Sequence, residues 1–105
     1  MSEIQNRAVR MLQQNSLDMT TASCRFQMLK AALELYRSTG GSEQAARDLC
    51  TGAFRGASRD VATGIGEVMI SLAAVSHLSD LDMMQAAYNE LDRGVQELPE
   101  PAEVV

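Results

Sequence analysis

The stretch RDVATGIGEVMISLAAVSHLSDLDMMQAAYNELDR, residues 59–93, decides the fold of this chain. In its first half, apolar residues recur at spacings of three and four, at Val61, Ile65, Val68, Leu72 and Val75. This spacing places them on one face of a helix. Met69 and Ile70 widen that face, so we predict a central helix that ends near Leu78.

The second half of the stretch predicts a capped turn and another helix. Ser79 is a suitable N-cap residue, and Asp80 and Asp82 would then lie in the first turn, where carboxylates favour the positive end of a helix. The predicted buried face consists of Leu81, Met84, Tyr88 and Leu91. Gly94 can end the helix in a left-handed conformation.

Working outward, helical periods continue through the chain. The predicted helices span 3–14, 21–38, 43–55, 58–78 and 80–93. The predicted N-caps are Ser2, either Thr20 or Thr21, Ser42 and Ser58, and Gly40-Gly41 is the predicted stop after the second helix. Glycines near residue 56 leave open whether the third and fourth segments are one kinked helix. The fold class is therefore an all-α bundle of four to five helices.

Length and composition predict one domain. The chain has 105 residues, 46% of them apolar and only 4% aromatic, which suits helix packing better than strands. Residues 1–94 form the predicted helical domain. The segment VQELPEPAEVV, residues 95–105, is acidic, contains two prolines and has no periodicity, so we expect a flexible tail.

Charge and cysteine usage narrow the functional classes. The net charge is −5, which argues against non-specific nucleic-acid binding. Residues 1–60 carry eight Lys/Arg and six Asp/Glu, whereas residues 61–105 carry one and eight. We expect Cys24 and Cys50 to be small, reduced core residues. No signal peptide is evident, and no run approaches a membrane-spanning length, so a cytoplasmic protein without a membrane partner is expected.

The C-terminal stretch resembles the MazG-like nucleotide pyrophosphohydrolases. Their pattern has an acidic motif opening a long apolar helix, a short turn and an Asp-containing cap before a last helix, and residues 64–72 and 78–82 correspond to these parts. The resemblance implies a MazG-like bundle that forms dimers or tetramers. It also implies a Mg²⁺ site that acts on nucleoside triphosphates, because carboxylates on neighbouring helices suit Mg²⁺ bound to phosphate oxygens.

The acidic pattern of that family is incomplete here. Its Glu-Glu-x-x-Glu motif falls on residues 30–34, where only Glu34 is acidic, and its Glu-x-x-Asp motif falls on residues 64–67, where only Glu67 is acidic. Asp60 is a candidate substitute ligand, and Lys30 is a candidate nucleotide contact. Glu34 and Glu67 are expected to face one cavity, but the incomplete set leaves Mg²⁺ binding open. In the alternative, Glu34 is a surface residue paired with Lys30 at i, i+4.

Three functions remain open at this point. The first is a MazG-like protein with a degraded metal site that binds a nucleotide or a protein partner. The second is an active Mg²⁺-dependent nucleoside triphosphate pyrophosphohydrolase. The third is an unrelated helical interaction module. Self-association as a homodimer or tetramer is expected in any case, because a chain of this size has little area to cover so apolar a central helix. Gly64 and Gly66 would allow another helix to approach closely.

Overall fold

Five helices make up the computed structural model, which describes residues 2–15 and 18–94. They are α1 (Glu3–Gln14), α2 (Thr21–Ser38), α3 (Glu43–Arg55), α4 (Val61–Leu78) and α5 (Met83–Arg93). No strand occurs within these residues, so the all-α class is confirmed. Helices α3 and α4 are separate. The predicted tail, residues 95–105, lies outside the described residues.

Side-chain caps explain why the first three helices begin where the sequence predicted. Ser2 accepts a hydrogen bond from the Gln5 backbone N–H, and the Gln5 side chain accepts from the Ser2 backbone, which forms a capping box. Thr20, rather than Thr21, caps α2 by accepting from the Ser23 N–H. Ser42 caps α3 by accepting from the Ala45 N–H. Each cap pairs a backbone donor that has no partner inside the helix.

The helix α4 begins later than predicted. Its N-cap is Asp60, not Ser58, and the Asp60 side chain makes no capping hydrogen bond. The Asp60 carbonyl instead accepts the first helical bond, from the Gly64 N–H at 3.0 Å.

The prediction that Ser79 caps α5 is wrong, because Ser79 is the C-cap of α4. Asp80 follows with a positive φ of 59°. The Asp80 N–H donates to the His77 carbonyl at 3.1 Å, and the Leu81 N–H donates to the Ser76 carbonyl at 2.9 Å. This pattern is a Schellman motif, which uses the residues after Ser79 to satisfy the end of α4. Helix α5 therefore begins only after Asp82, whose side chain accepts a hydrogen bond from the Gln85 N–H at 2.8 Å.

A Schellman motif also ends α2, and there a glycine is the residue with positive φ. Gly40 has a φ of 96°, and the Gly41 N–H donates to the Tyr36 carbonyl at 3.0 Å. The Tyr36 ring lies so close to Gly41 that an added Cβ would be 2.2 Å from a ring carbon. The Tyr36 hydroxyl also donates to the Ser42 carbonyl at 3.2 Å. One aromatic side chain thus fixes the turn between α2 and α3.

Packing between helices is concentrated where α1 and α4 meet α5. Arg7 of α1 binds Asp92 of α5, with Nη2 2.9 Å from Oδ1, and its guanidinium carbon lies 5.5 Å from the centre of the Tyr88 ring. The apolar residues of α1 that recur at helical spacing are half-buried; they are Ile4, Ala8, Met11 and Leu12. A cation above an aromatic face and an ion pair hold the two terminal helices together.

No described residue is buried, and this is the main departure from the sequence prediction. Phe54 in α3 is 87% exposed, and Leu49 and Cys50 beside it are also exposed. The expectation of a core residue is therefore wrong for Cys50, which lies on an exposed face of α3. Cys24, in α2, is half-buried. The periodic stripes identify helix faces correctly, but a single chain leaves most of them uncovered.

The exposed apolar side chains support the same conclusion. Fifteen large apolar side chains of the described residues are at least 38% exposed, and six of them lie on α4. The five helices thus form an open arrangement with unsatisfied apolar surface.

Helix α4 also meets the length and composition criteria for a membrane-spanning helix. Its 18 residues have a mean hydropathy of 1.5, contrary to the sequence-based expectation that no run approaches such a length. The core helix of a soluble protein, which is mostly buried, meets the same criteria, whereas none of α4 is buried here. Length and composition alone do not place α4 in a membrane.

Candidate functional site

The first candidate site is a groove between α2 and α4, here called the α4 groove. It has a volume of about 400 Å³ and is lined by Met28, Val61, Gly64, Ile65, Val68 and Met69. The five α4 residues share a face because they follow one another at alternating spacings of three and one along a helix. No charged or hydrogen-bonding side chain lines the groove. Its chemistry therefore suits an apolar surface rather than a metal ion or a phosphate.

This groove is the open end of a stripe that is covered at its other end. Leu72 and Val75, near the α4 C-terminus, are half-buried, and α5 packs against α4. Val61 and Ile65, near the N-terminus, are 78% and 61% exposed. The short connection between α4 and α5 explains the difference, because it holds α5 beside the end of α4 where the chain reverses.

The two glycines of α4 have no neighbour within the described chain that would require them. A Cβ built on Gly64 or Gly66 would meet nothing within 4 Å. The prediction that these residues allow a helix to approach closely is therefore not fulfilled by any described helix of the same chain. Since glycine in a helix interior costs about 0.5–1 kcal/mol relative to alanine, their presence without an internal contact agrees with an external one.

The second candidate site runs along α2 and is here called the α2 groove. It has a volume of about 330 Å³ and is lined by Phe26, Leu29, Lys30, Leu33, Glu34 and Arg37. Leu29 and Leu33 are exposed and form an apolar floor with Phe26. Lys30 and Arg37 flank that floor, and Glu34 lies between them in sequence. The groove therefore combines apolar surface with a net positive charge.

The expected surface pair between Lys30 and Glu34 does not form. The ion pairs among the described residues join Arg7 to Asp92, Arg47 to Glu43, Arg59 to Glu67 and Arg93 to Glu90. Within that part of the chain, Lys30 and Arg37 have no ion-pair partner. Both cations are thus available to a ligand of the α2 groove.

The candidate metal ligands lie in different surroundings. Glu34 lines the α2 groove. Glu67 binds Arg59, with its Oε1 3.3 Å from the Arg59 Nε. Asp60 is the N-cap of α4 and is exposed. Residues 2–15 and 18–94 contain no group of three or more His, Cys, Asp or Glu side chains placed to hold a metal ion.

Neither of the two grooves brings Glu34 and Glu67 together. The α4 groove, which lies between the helices that carry them, is lined by other residues, and Glu67 is not part of the α2 groove. The convergence of Glu34 and Glu67 on one metal ion stays a prediction.

Sequence reasoning missed two features of this surface. One is Arg59, which lies eight residues before Glu67 and reaches it because α4 begins only at Val61. The other is the exposed corner between α4 and α5, where Leu78 and Leu81 are 85% and 65% exposed. Sequence spacing gave no signal for the second, since it placed Leu81 on the predicted buried face of the last helix.

Comparisons with protein-family models, with curated proteins and with solved structures each found no match to this chain.

Proposed function

We propose that this protein is a self-associating helical interaction module whose α4 groove is occupied by the α4 helix of a second copy. The observation that carries the proposal is the open apolar half of α4, where Val61, Ile65 and Val68 are exposed beside two glycines. An apolar helix face of this kind is stabilised when it is removed from water, at roughly 25 cal/mol per Å².

The amount of exposed surface favours a second copy as the occupant. Six large apolar side chains of α4 are exposed, among them Val61, Ile65 and Ile70. Obligate homodimers bury about 2,000–5,000 Å² in total, so an interface between two chains is large enough to cover such a face. A homodimer or a tetramer is the assembly that we propose, in agreement with the sequence-based expectation.

A MazG-like ancestry with a degraded metal site is compatible with this role. In that proposal the bundle keeps its assembly surface, while Glu34 and Glu67 no longer form part of a complete carboxylate set. Two carboxylates hold Mg²⁺ weakly by themselves, because the ion keeps several waters and relies on substrate phosphates for its further ligands. We propose a location in the cytoplasm, as the sequence predicts.

Sedimentation equilibrium tests the proposal. We expect the wild-type chain to run above 11.4 kDa at micromolar concentration. The variant Ile65→Glu should raise the dissociation constant at least tenfold, because it places a charge in an apolar interface. Thr63→Glu is the matched control, since it adds the same charge about 160° around the same helix. A wild-type chain that stays at 11.4 kDa up to high micromolar concentration would overturn the proposal.

A further inference from the structure

The corner between α4 and α5 is an unusual surface feature. It consists of Leu78, Ser79, Asp80, Leu81 and Asp82, and is here called the α4–α5 corner. Its two leucines are among the more exposed apolar residues of the described chain. The Schellman motif holds this geometry, because Asp80 takes a positive φ and the Leu81 N–H binds the Ser76 carbonyl. The turn therefore presents two exposed leucines that alternate with two carboxylates, in the order Leu78, Asp80, Leu81, Asp82.

The α2 groove has the complementary composition. Its floor is apolar at Phe26, Leu29 and Leu33, and its flanks carry Lys30 and Arg37. Asp80 has no ion-pair partner among the described residues, and Asp82 is engaged only in capping α5 through Gln85. Unpaired carboxylates on one surface thus match unpaired cations on the other. Glu34 lies one turn from both cations, which offset its charge.

The dimensions of the two surfaces are compatible. Lys30 and Arg37 are seven residues apart on a helix, which separates their Cα atoms by about 10 Å along the axis. Asp80 and Asp82 are two residues apart in a turn, which gives about 7 Å at most. Long Lys and Arg side chains can lie along apolar surface, so the charged ends of Lys30 and Arg37 can come closer together than their Cα atoms and match the spacing of the two carboxylates.

We infer that the α4–α5 corner of one copy docks into the α2 groove of another copy of this chain, with Leu78 and Leu81 on the apolar floor and Asp80 and Asp82 facing Lys30 and Arg37. The inference rests on the proposed self-association and adds a second contact to it. Because the two surfaces differ, the contact is either exchanged reciprocally within a dimer or joins dimers into a larger assembly.

Charge reversal in the groove provides the first test. Lys30→Glu should weaken assembly about tenfold in sedimentation at low salt, and the effect should shrink as salt screens the charges. Arg25→Glu is the matched control on the same helix, because Arg25 is exposed and does not line the α2 groove. Equal dissociation constants for Lys30→Glu, Arg25→Glu and wild type would overturn the inference.

Restoration provides the second test. Asp80→Lys alone should weaken assembly, and Asp80→Asn should do so less, since it removes a charge without reversing it. The double variant Lys30→Glu with Asp80→Lys should return the dissociation constant to within about threefold of wild type, because the pair is restored in the opposite sense. Far-UV circular dichroism checks that each variant keeps its helices. Losses that simply add in the double variant would overturn the inference.

The design separates this inference from the proposed function. A wild-type chain that never associates overturns both. Assembly that is lost on Ile65→Glu but unchanged on Lys30→Glu and on Leu81→Ser leaves the α4 groove as an interface and overturns the corner contact. If Ile65→Glu has no effect on assembly but Lys30→Glu weakens it, the α4–α5 corner contact stands and the proposed interface at the α4 groove is overturned. A last outcome concerns nucleotides. If ATP with Mg²⁺ stabilises the wild-type chain, and Lys30→Glu abolishes that stabilisation without changing assembly, the α2 groove is assigned to a nucleotide instead.

Discussion

Arg59 binds Glu67, with the Arg59 Nε 3.3 Å from the Glu67 Oε1, although the two residues lie eight positions apart. The contact reaches from the loop before α4 to the second turn of that helix. It gives Glu67 a partner other than a metal ion, and it fastens the α3–α4 connection to α4. Both groups are largely exposed, so the pair contributes about 0.2–1 kcal/mol to stability.

The first prediction concerns catalysis. We expect the wild-type protein to release no pyrophosphate from nucleoside triphosphates with Mg²⁺, because the resembled acidic motifs keep only Glu34 and Glu67 and Glu67 is paired with Arg59. A coupled pyrophosphate assay over a panel of nucleotides measures this. Release that disappears in Glu34→Gln, but not in the control Glu43→Gln, would contradict the prediction and favour the active-enzyme hypothesis.

The second prediction concerns the missing carboxylates. If α2 and α4 align as in the resembled family, Ala31→Glu combined with Gly64→Glu should increase Mg²⁺ affinity in calorimetry, because it restores four carboxylates. Ala32→Glu with Gly66→Glu adds the same charges at neighbouring positions and is the control. Gly64→Glu also places a charge in the α4 groove, so we expect the first variant to dissociate. Equal Mg²⁺ binding by the two folded variants would show that the alignment is wrong.

The third prediction links stability to assembly. No described residue is buried within one chain. If the proposed self-association is right, contacts between chains supply much of the folding free energy. The melting temperature should therefore rise with protein concentration, by several degrees for a hundredfold increase. Differential scanning calorimetry at two or more concentrations measures the shift. The dissociated Ile65→Glu variant is the control, and its melting temperature should not depend on concentration. The same independence in the wild-type chain would argue against an obligate assembly.

The fourth prediction concerns the α2–α3 turn. Gly41→Ala should destabilise the protein by about 1–3 kcal/mol, because the new Cβ would clash with the Tyr36 ring, which would have to move. Gly52→Ala is the matched control, since a Cβ there meets nothing within 4 Å and Gly52 lies inside α3. That control should stabilise the protein by about 0.5–1 kcal/mol. Chemical denaturation compares the two, and equal effects would contradict the contact.

The fifth prediction concerns the start of α5. Asp82→Ala should cost about 1 kcal/mol, because the Gln85 N–H loses the carboxylate that caps it. Asp82→Asn removes the same charge but can still cap the helix, so the difference between the two variants isolates the cap. Ser79→Ala should change the free energy of unfolding by less than about 0.5 kcal/mol. A larger effect at Ser79 than at Asp82 would restore the original assignment of the N-cap.

Local sequence determined the helices. Periodic apolar residues and short-range caps at Ser2, Thr20 and Ser42 set the type of each element and, for α1 to α3, both ends. These signals act between residues a few positions apart, so they can be read without knowing the tertiary arrangement. The start of α5 was missed for a related reason. Ser79 suits both an N-cap and a C-cap, and the backbone bonds of Asp80 and Leu81 decided between them.

The tertiary structure decided which apolar faces are covered. The stripe on α1 meets α5, whereas similar stripes on α3 and α4 remain open, at Phe54 and Ile65. Periodicity reports that a face is apolar but not whether its partner lies in the same chain, because the free energy of burial is the same in either case. The partner of Glu67 was likewise fixed only by the path of the loop that brings Arg59 to it. Sequence alone thus defined five helices and their apolar faces, and only the tertiary structure showed that one chain does not cover them.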